Sequence, residues 1–352
     1  MFVAANAPQR VVVQFGSWFR QILDATPISL DNPPGRCLSD LGESRSYGFH
    51  RKRCLYRRTP ADIINHHENS GALVRVHRGG SVCPSGAQTV VEFEMMTWPE
   101  IKRAIQDEAM INVILYSGGV EQRGPQNVSG GHNLMAADTA REIALKLGHT
   151  LVAPPIPYSV NEAPESLPWG TIGLTGPIFA EINERVAEQL VKNGFKNVFL
   201  MGDHGGGQKE LGEIARKLDE KYSAKGVHVY FCDQMYDKAQ NDYWKWLEDN
   251  HYPSYGHASI MDTSEMLYRS TRDGHDYGWV RLDLIKTAVG DPVLPRGQRR
   301  DPSAPRANNG ITGDARPSTP ELGKRIFDMK VDYAVRQMKE FLASAKSSAP
   351  AN

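Results

Sequence analysis

The feature that most constrains this chain is a repeated alternation. Near-continuous apolar runs of strand length are each followed by a longer amphipathic stretch. The runs are INVILYSGG (111–119), TLVAPPIPYSV (150–160), NVFLMGD (197–203) and VHVYFCD (227–233). The stretches are NLMAADTAREIALKLG (133–148), IFAEINERVAEQLVKNG (178–194), QKELGEIARKLDEKY (208–222) and KAQNDYWKWLEDN (238–250). STPELGKRIFDMKVDYAVRQMKEFLASA (318–345) reads as a long terminal helix. A strand that is apolar throughout must be covered on both faces. The alternation therefore predicts an α/β fold, a mainly parallel sheet flanked by helices on both faces. Local signals agree. In TWPEIKRAIQDE (97–108), Thr97 is placed to cap, with Glu100 three residues on and Pro99 in the first turn. Gly148 and Gly194 close two helices. Leu134, Ala137, Ala140, Ala144 and Leu147 form the expected apolar stripe of 133–148. Ligands of such sheets bind beyond the carboxyl ends of the strands. The chemistry is therefore sought just after VILYSGG, APPIPYS, FLMGD and YFCD.

The 352 residues suffice for one large domain or two of average size. A hydrophobic fraction of 40% and a charged fraction of 23% are those of a soluble globular protein. Zero formal net charge argues against a whole-protein nucleic-acid or membrane-surface binder. The opening MFVAANAPQRVVVQFGSWF has no continuous apolar core, so neither a signal peptide nor a membrane helix is expected. Cys37, Cys54, Cys83 and Cys232 form no CxxC pair, which favours a reduced, cytoplasmic protein. The first 94 residues differ from the rest. SRSYGFHRKRCLYRR (44–58) carries Arg45, Arg51, Lys52, Arg53, Arg57 and Arg58 and no acid. It reads as a basic arm for nucleic acid or as a poorly ordered extension, and the extension is the expectation. The folded unit is then expected over 95–346, with a disordered tail at 347–352.

Three constellations fall at the expected strand ends. In GGVEQRGPQNVSGGHN (118–133), Glu121 and His132 can share a divalent metal, or stand as a loop carboxylate and a helix-capping histidine. In MGDHGGGQ (201–208), His204 is a candidate ligand on a loop whose glycines, Gly205 and Gly206, let a substrate approach the backbone. The same loop could instead cradle an anion at a helix N-terminus, or be a plain glycine-rich turn. It lacks the Lys-Ser/Thr of a P-loop. Asp203 precedes it as a candidate catalytic acid. In YGHASIMDTSEML (255–267), His257 and Asp262 flank a short segment, and Asp262 or Thr263 can equally cap a helix. Two or three nitrogen and oxygen ligands from separate strand ends form the plan of a hydrolytic metal site.

At these residues the chain resembles the creatininase (creatinine amidohydrolase) family. GGVEQRGPQ is similar to its Gly-x-x-Glu-Gln-His-Gly-Pro-His motif through Gly118, Glu121, Gln122, Gly124 and Pro125. GDHGGG resembles Asn-Gly-His-Gly-Gly-Asn, and HASIMDTS resembles His-Ala-Gly-x-x-Glu-Thr-Ser. The resemblance spans about residues 95–345. It implies an α/β sandwich, a homo-oligomer, zinc or manganese, and hydrolysis of a C–N amide bond in a small cyclic or linear substrate. It implies Glu121, His132, His204 and Asp262 as metal ligands and His257 as proton shuttle to the leaving nitrogen. Departures stand at Arg123, where the family has a ligand histidine, at His132, where it has a bridging aspartate, and at Gln126 and Gly207. A guanidinium stays protonated and cannot ligate. One ion is therefore expected, with Arg123 clamping an anionic group of the substrate and Gln126 beside it. Two other readings are a non-catalytic small-molecule-binding protein on the same fold and a phosphate-binding α/β enzyme. No nucleic-acid or membrane partner is expected.

Overall fold

A computed structural model of the protein describes residues 90–272, 274–295 and 298–347. The basic stretch 44–58, Cys37, Cys54, Cys83 and residues 348–352 lie outside these. The sheet has four parallel strands, β1 (Asn112–Ser117), β2 (Thr150–Val152), β3 (Asn197–Gly202) and β4 (His228–Phe231), in the order β2-β1-β3-β4. Helix α1 (Trp98–Gln106) precedes β1. Helices α2 (Gly131–Leu147), α3 (Gly176–Asn193) and α4 (Gln208–Tyr222) are the three crossovers. Then come α5 (Asp237–Asp249), α6 (Ile260–Ser270), a hairpin of β5 (Thr271–Arg272) and β6 (His275–Asp276), the short α7 (Leu282–Ile285) and the long α8 (Pro320–Ser347).

Period-two alternation divides the strands between two cores. Val113, Leu115, Leu151, Val198, Leu200 and Val229 pack against Phe179 and Leu190 of α3 and Leu211, Ile214 and Leu218 of α4. Ile114, Tyr116, Val152, Phe199 and Met201 pack against Ala136, Ala140 and Ile143 of α2 and Phe327, Val331, Ala334 and Met338 of α8. Each such fully buried aliphatic contributes about 1.5–3 kcal/mol of transfer free energy. The expected architecture, helices on both faces of a parallel sheet, is the one observed.

Two expectations are corrected. The buried face of α2 is Gly131, His132, Met135, Ala136, Thr139, Ala140, Ile143 and Ala144, and Ala137 is exposed. With alanines on several faces, the helix settles on the one that approaches the sheet most closely. That rotation turns His132 inward. The folded unit also begins earlier than residue 95. The Val91 carbonyl accepts the Val152 N–H at 2.8 Å, and Glu92 pairs with Val152 beside β2. Val91 is 2% exposed, and Glu92 Oε1 meets Arg141 Nε at 2.8 Å. An edge strand of three residues gains a neighbour this way. A chain starting at Met95 should be less stable than one starting at Val90 by at least about 2 kcal/mol, the worth of burying Val91 alone. Denaturant unfolding of the two would check it, and equal midpoints would refute it.

Candidate metal site

The strand order fixes where the site lies. From β1 the chain crosses to β2 on one side and then returns to β3 on the other. The crevice between such strands opens beyond their carboxyl ends. Gly118 and Gly119 leave β1 against the start of α2. A Cβ on Gly118 would lie 2.1 Å from Asn133 Oδ1, and the Gly119 N–H donates to that oxygen at 2.8 Å. This contact requires glycine and pins the loop to the first turn of α2. It brings Glu121 to face His132. Asp203 and His204 arrive from the end of β3, where the Asp203 N–H donates to the Ser117 carbonyl at 2.9 Å.

Glu121 lies at the centre. Its Oε1 is 2.7 Å from His132 Nε2, and its Oε2 is 3.1 Å from His204 Nε2. Asn161, from the segment after β2, donates to Oε2 at 3.1 Å. Among the described residues, Glu121, His132 and His204 present ligand atoms that all lie within 4.8 Å of one another. The two imidazoles meet edge to face, with centroids 5.0 Å apart. His132 Nδ1 donates to Asp203 Oδ2 at 2.8 Å. Asp203 Oδ1 faces Lys330 Nζ at 3.1 Å and the Tyr116 hydroxyl at 3.3 Å.

The electrostatics follow from this packing. Burial raises the Glu121 carboxyl. Hydrogen bonds from His132 and His204 and the Arg123 charge outweigh it and hold the group below the usual carboxylate range. Burial also raises Asp203, but Lys330 and His132 bring it below that range. For His132, burial and Arg123 act downward. The hydrogen bonds to Asp203 and Glu121 more than reverse this, so its pKa is raised.

Arg123 is 3% exposed and makes one close ion pair, NH2 to Asp262 Oδ1 at 2.9 Å. Its NH1 is 3.6 Å from Glu121 Oε1, and neither NH1 nor Nε has a hydrogen-bond partner. Nε is closed off by Gly131, whose Cβ would lie 3.0 Å from it. Asp262, expected as a ligand, is held elsewhere. One oxygen takes Arg123 and the other accepts the Ala258 N–H at 2.7 Å, so it serves the guanidinium and the start of α6. His257 stands beside the group. Its Nε2 donates to the Gln122 carbonyl at 2.8 Å, and its Nδ1 is 3.7 Å from Glu121 Oε1.

Other expected contacts move away from a substrate. Gln126 is fully buried and donates to the Ala258 carbonyl at 2.8 Å and Thr263 Oγ1 at 3.1 Å, so it joins two segments of the wall. Gly206 is pressed against Val160, whose carbonyl oxygen would be 1.9 Å from a Cβ. Its N–H donates to His204 Nδ1 at 3.0 Å, which removes one donor from any anion cradle. Gly205 does face a cavity of about 250 Å³, together with Glu121, Arg123, His132, His204 and Lys330. A second cavity of about 340 Å³ adjoins it at Glu121 and His257, bounded by Ser166, Asp291, Arg306 and Thr312. Asn161, Glu265 and Lys330 were not singled out from sequence. Asn161 sits at a strand exit, where it could have been. Lys330 was detectable as a lysine on the apolar face of α8.

A carboxylate and two imidazoles converge at the strand ends of a parallel α/β sheet, a candidate metal site of N/O donors. Residues 94–338 match the family model described as Creatininase: Creatinine amidohydrolase. The chain belongs to the creatininase family, a family of metal-dependent amidohydrolases. Its fold is similar to a creatininase variant complexed with creatine, at 20% identity, TM-score 0.55, and coverage of 72% of this chain and 98% of that one. It is similar to a zinc–zinc form of a creatininase variant at 18% identity and TM-score 0.53, and to a manganese creatininase at 18% and 0.52. Both of these also cover 72% of this chain and 98% of theirs. No curated protein matches the chain. Among the described residues, no helix is long and apolar enough to cross a membrane.

Proposed function

We propose that the protein is an amidohydrolase that uses one divalent ion, zinc or manganese, to cleave a C–N amide bond of a small molecule. The observation that carries this is the convergence of Glu121, His132 and His204 within 4.8 Å on the wall of a cavity. The donors fit such an ion. One carboxylate and two imidazole nitrogens suit zinc or manganese, and Asp203 behind His132 is the carboxylate–histidine backing that orients a ligand ring. Charge supports a single ion. Glu121, Asp203, Asp262 and Glu265 face the fixed cations Arg123 and Lys330, a deficit of at most two charges that one divalent ion cancels. When bound, the ion supplies Lewis acidity toward the amide carbonyl and toward a water.

The chain's own residues supply the rest. Asp203 keeps the proton on His132 Nδ1, so Nε2 is the nitrogen offered to the cavity. The Gln122 carbonyl keeps the proton on His257 Nε2, so Nδ1 is the atom that can take up a proton and pass it to the leaving nitrogen. His257 stands where the two cavities meet, so the two halves of a linear amide could extend to either side of it. Arg123, on the cavity wall with NH1 buried and without a hydrogen-bond partner, sets a fixed positive charge beside the substrate space.

Metal analysis of the purified protein tests this reading. About one equivalent of zinc or manganese is expected, with loss of the ion in His204→Ala. A content well below one equivalent that added ions do not restore would overturn it. The competing reading, a small-molecule-binding protein without turnover, draws on Arg123 standing against Glu121. Thermal stabilisation by amides with no hydrolysis in the metal-loaded protein would favour it.

A further inference from the structure

We propose that Lys330, with Glu265 behind it, is a positioning residue for ion binding: it locks Asp203 onto His132 and so fixes the ring that offers Nε2 to the ligand group. This rests on the metal-hydrolase reading above. The chain of contacts is continuous. Glu265 Oε2 is 2.7 Å from Lys330 Nζ, Nζ is 3.1 Å from Asp203 Oδ1, and Asp203 Oδ2 is 2.8 Å from His132 Nδ1. All four residues are at least nine-tenths buried. Lys330 reaches the site from α8 amid apolar neighbours on that helix, Ile326, Phe327, Val331 and Ala334. A buried ionic relay contributes less to stability than well-packed hydrophobes of similar volume. A lysine in this row is therefore a poor choice for packing alone, and its end lies on the same cavity as Glu121, His132 and His204.

The relay gives each group one task. Without Lys330, Asp203 Oδ1 would keep only the Tyr116 hydroxyl, 3.3 Å away. Its carboxylate could then turn from His132 toward the cavity and compete for the ion. Glu265 supplies the charge that makes a buried ammonium tolerable, and its Oε1 has no hydrogen-bond partner. Lys330 itself is not a nucleophile. Burial acts to lower its pKa, but Asp203 and Glu265 raise it further, and the amine stays protonated.

The test uses full-length protein stripped by a chelator. Zinc affinity is read by competition with a chromophoric chelator, and ligand geometry by the visible spectrum of the cobalt-loaded form. Lys330→Met should weaken zinc binding about 10- to 100-fold, the usual effect of losing an outer-shell partner, and alter the cobalt bands. Lys330→Arg, which keeps the cation, should recover most of the affinity. A folded Lys330→Met protein with wild-type affinity and cobalt spectrum overturns the proposal. If that variant does not fold, the near-isosteric Glu265→Gln decides. It removes the charge that holds the buried Lys330 ammonium in place against Asp203 and should weaken zinc binding about tenfold, whereas wild-type affinity and spectrum overturn the proposal. Wild-type protein that binds no zinc would instead overturn the metal-hydrolase reading, and this one with it.

Discussion

Glu121→Gln should abolish ion binding and also lower stability, because its neighbours hold the Glu121 carboxylate below its usual range and the charge they stabilise is gone. Glu121 is the one carboxylate of the candidate ligand group, and each of its oxygens faces one imidazole. Glutamine keeps the shape. It replaces one oxygen with an NH2 group that can only donate, and it removes the negative charge that offsets a divalent ion. The remaining His132 and His204 would offer two neutral nitrogens beside the Arg123 cation. Wild-type protein at a hundredfold excess of ion over Kd should gain about 2.7 kcal/mol of apparent stability. The variant should gain none. Any amide-hydrolysing activity should fall by at least about a thousandfold, the upper end of what loss of one electrostatic stabiliser costs. Thermal unfolding with and without zinc, beside metal analysis, measures both effects. A variant that still holds one equivalent of ion would remove Glu121 from the ligand set.

How much of this was legible beforehand differs residue by residue. Val113 to Tyr116 and Val198 to Met201 announce buried strands because both faces of each are apolar. That fixed the architecture and directed attention to their carboxyl ends, where Glu121 and His204 stand next to glycines. Asp262, expected as a ligand, is paired with Arg123 for a physical reason. Sequence spacing shows that an acid is near a site, but not which cation reaches it first, and here Arg123 does. Gln126 bonds the Ala258 carbonyl and Thr263, since an amide in a motif can reach a substrate or a neighbouring carbonyl and burial favours the second here. Lys330 is separated from Asp203 by 127 positions and comes from a helix expected only to cover the sheet. No local pattern carries that contact. Val91 was missed because a single added edge pairing leaves almost no periodic signal.

Arg123→Met should move two properties in opposite directions. The first is stability. The Arg123–Asp262 pair ties the loop after β1 to the first turn of α6, and the guanidinium side is 3% exposed. Asp262 would be left with the Ala258 N–H alone. Breaking a buried ion pair by removing one partner costs about 3–5 kcal/mol. At roughly 2–4 °C per kcal/mol for a domain of this size, Tm should fall by about 6–20 °C. The second property is ion affinity. Arg123 NH1 lies 3.6 Å from Glu121 Oε1, so a fixed positive charge stands beside the place a divalent ion would take. Like charges a few ångströms apart repel strongly where water is scarce. Removing the guanidinium should therefore tighten zinc binding several-fold in protein that is otherwise less stable. Arg123→Lys separates the two effects. It keeps the charge but not the planar fork, so it should lose part of the stability and bind zinc much as the wild type does. Calorimetric Tm without added ions and zinc affinity by chelator competition give the pair of numbers. A methionine variant that binds zinc more weakly than wild type would mean that Arg123 organises the ligand group instead of opposing the ion.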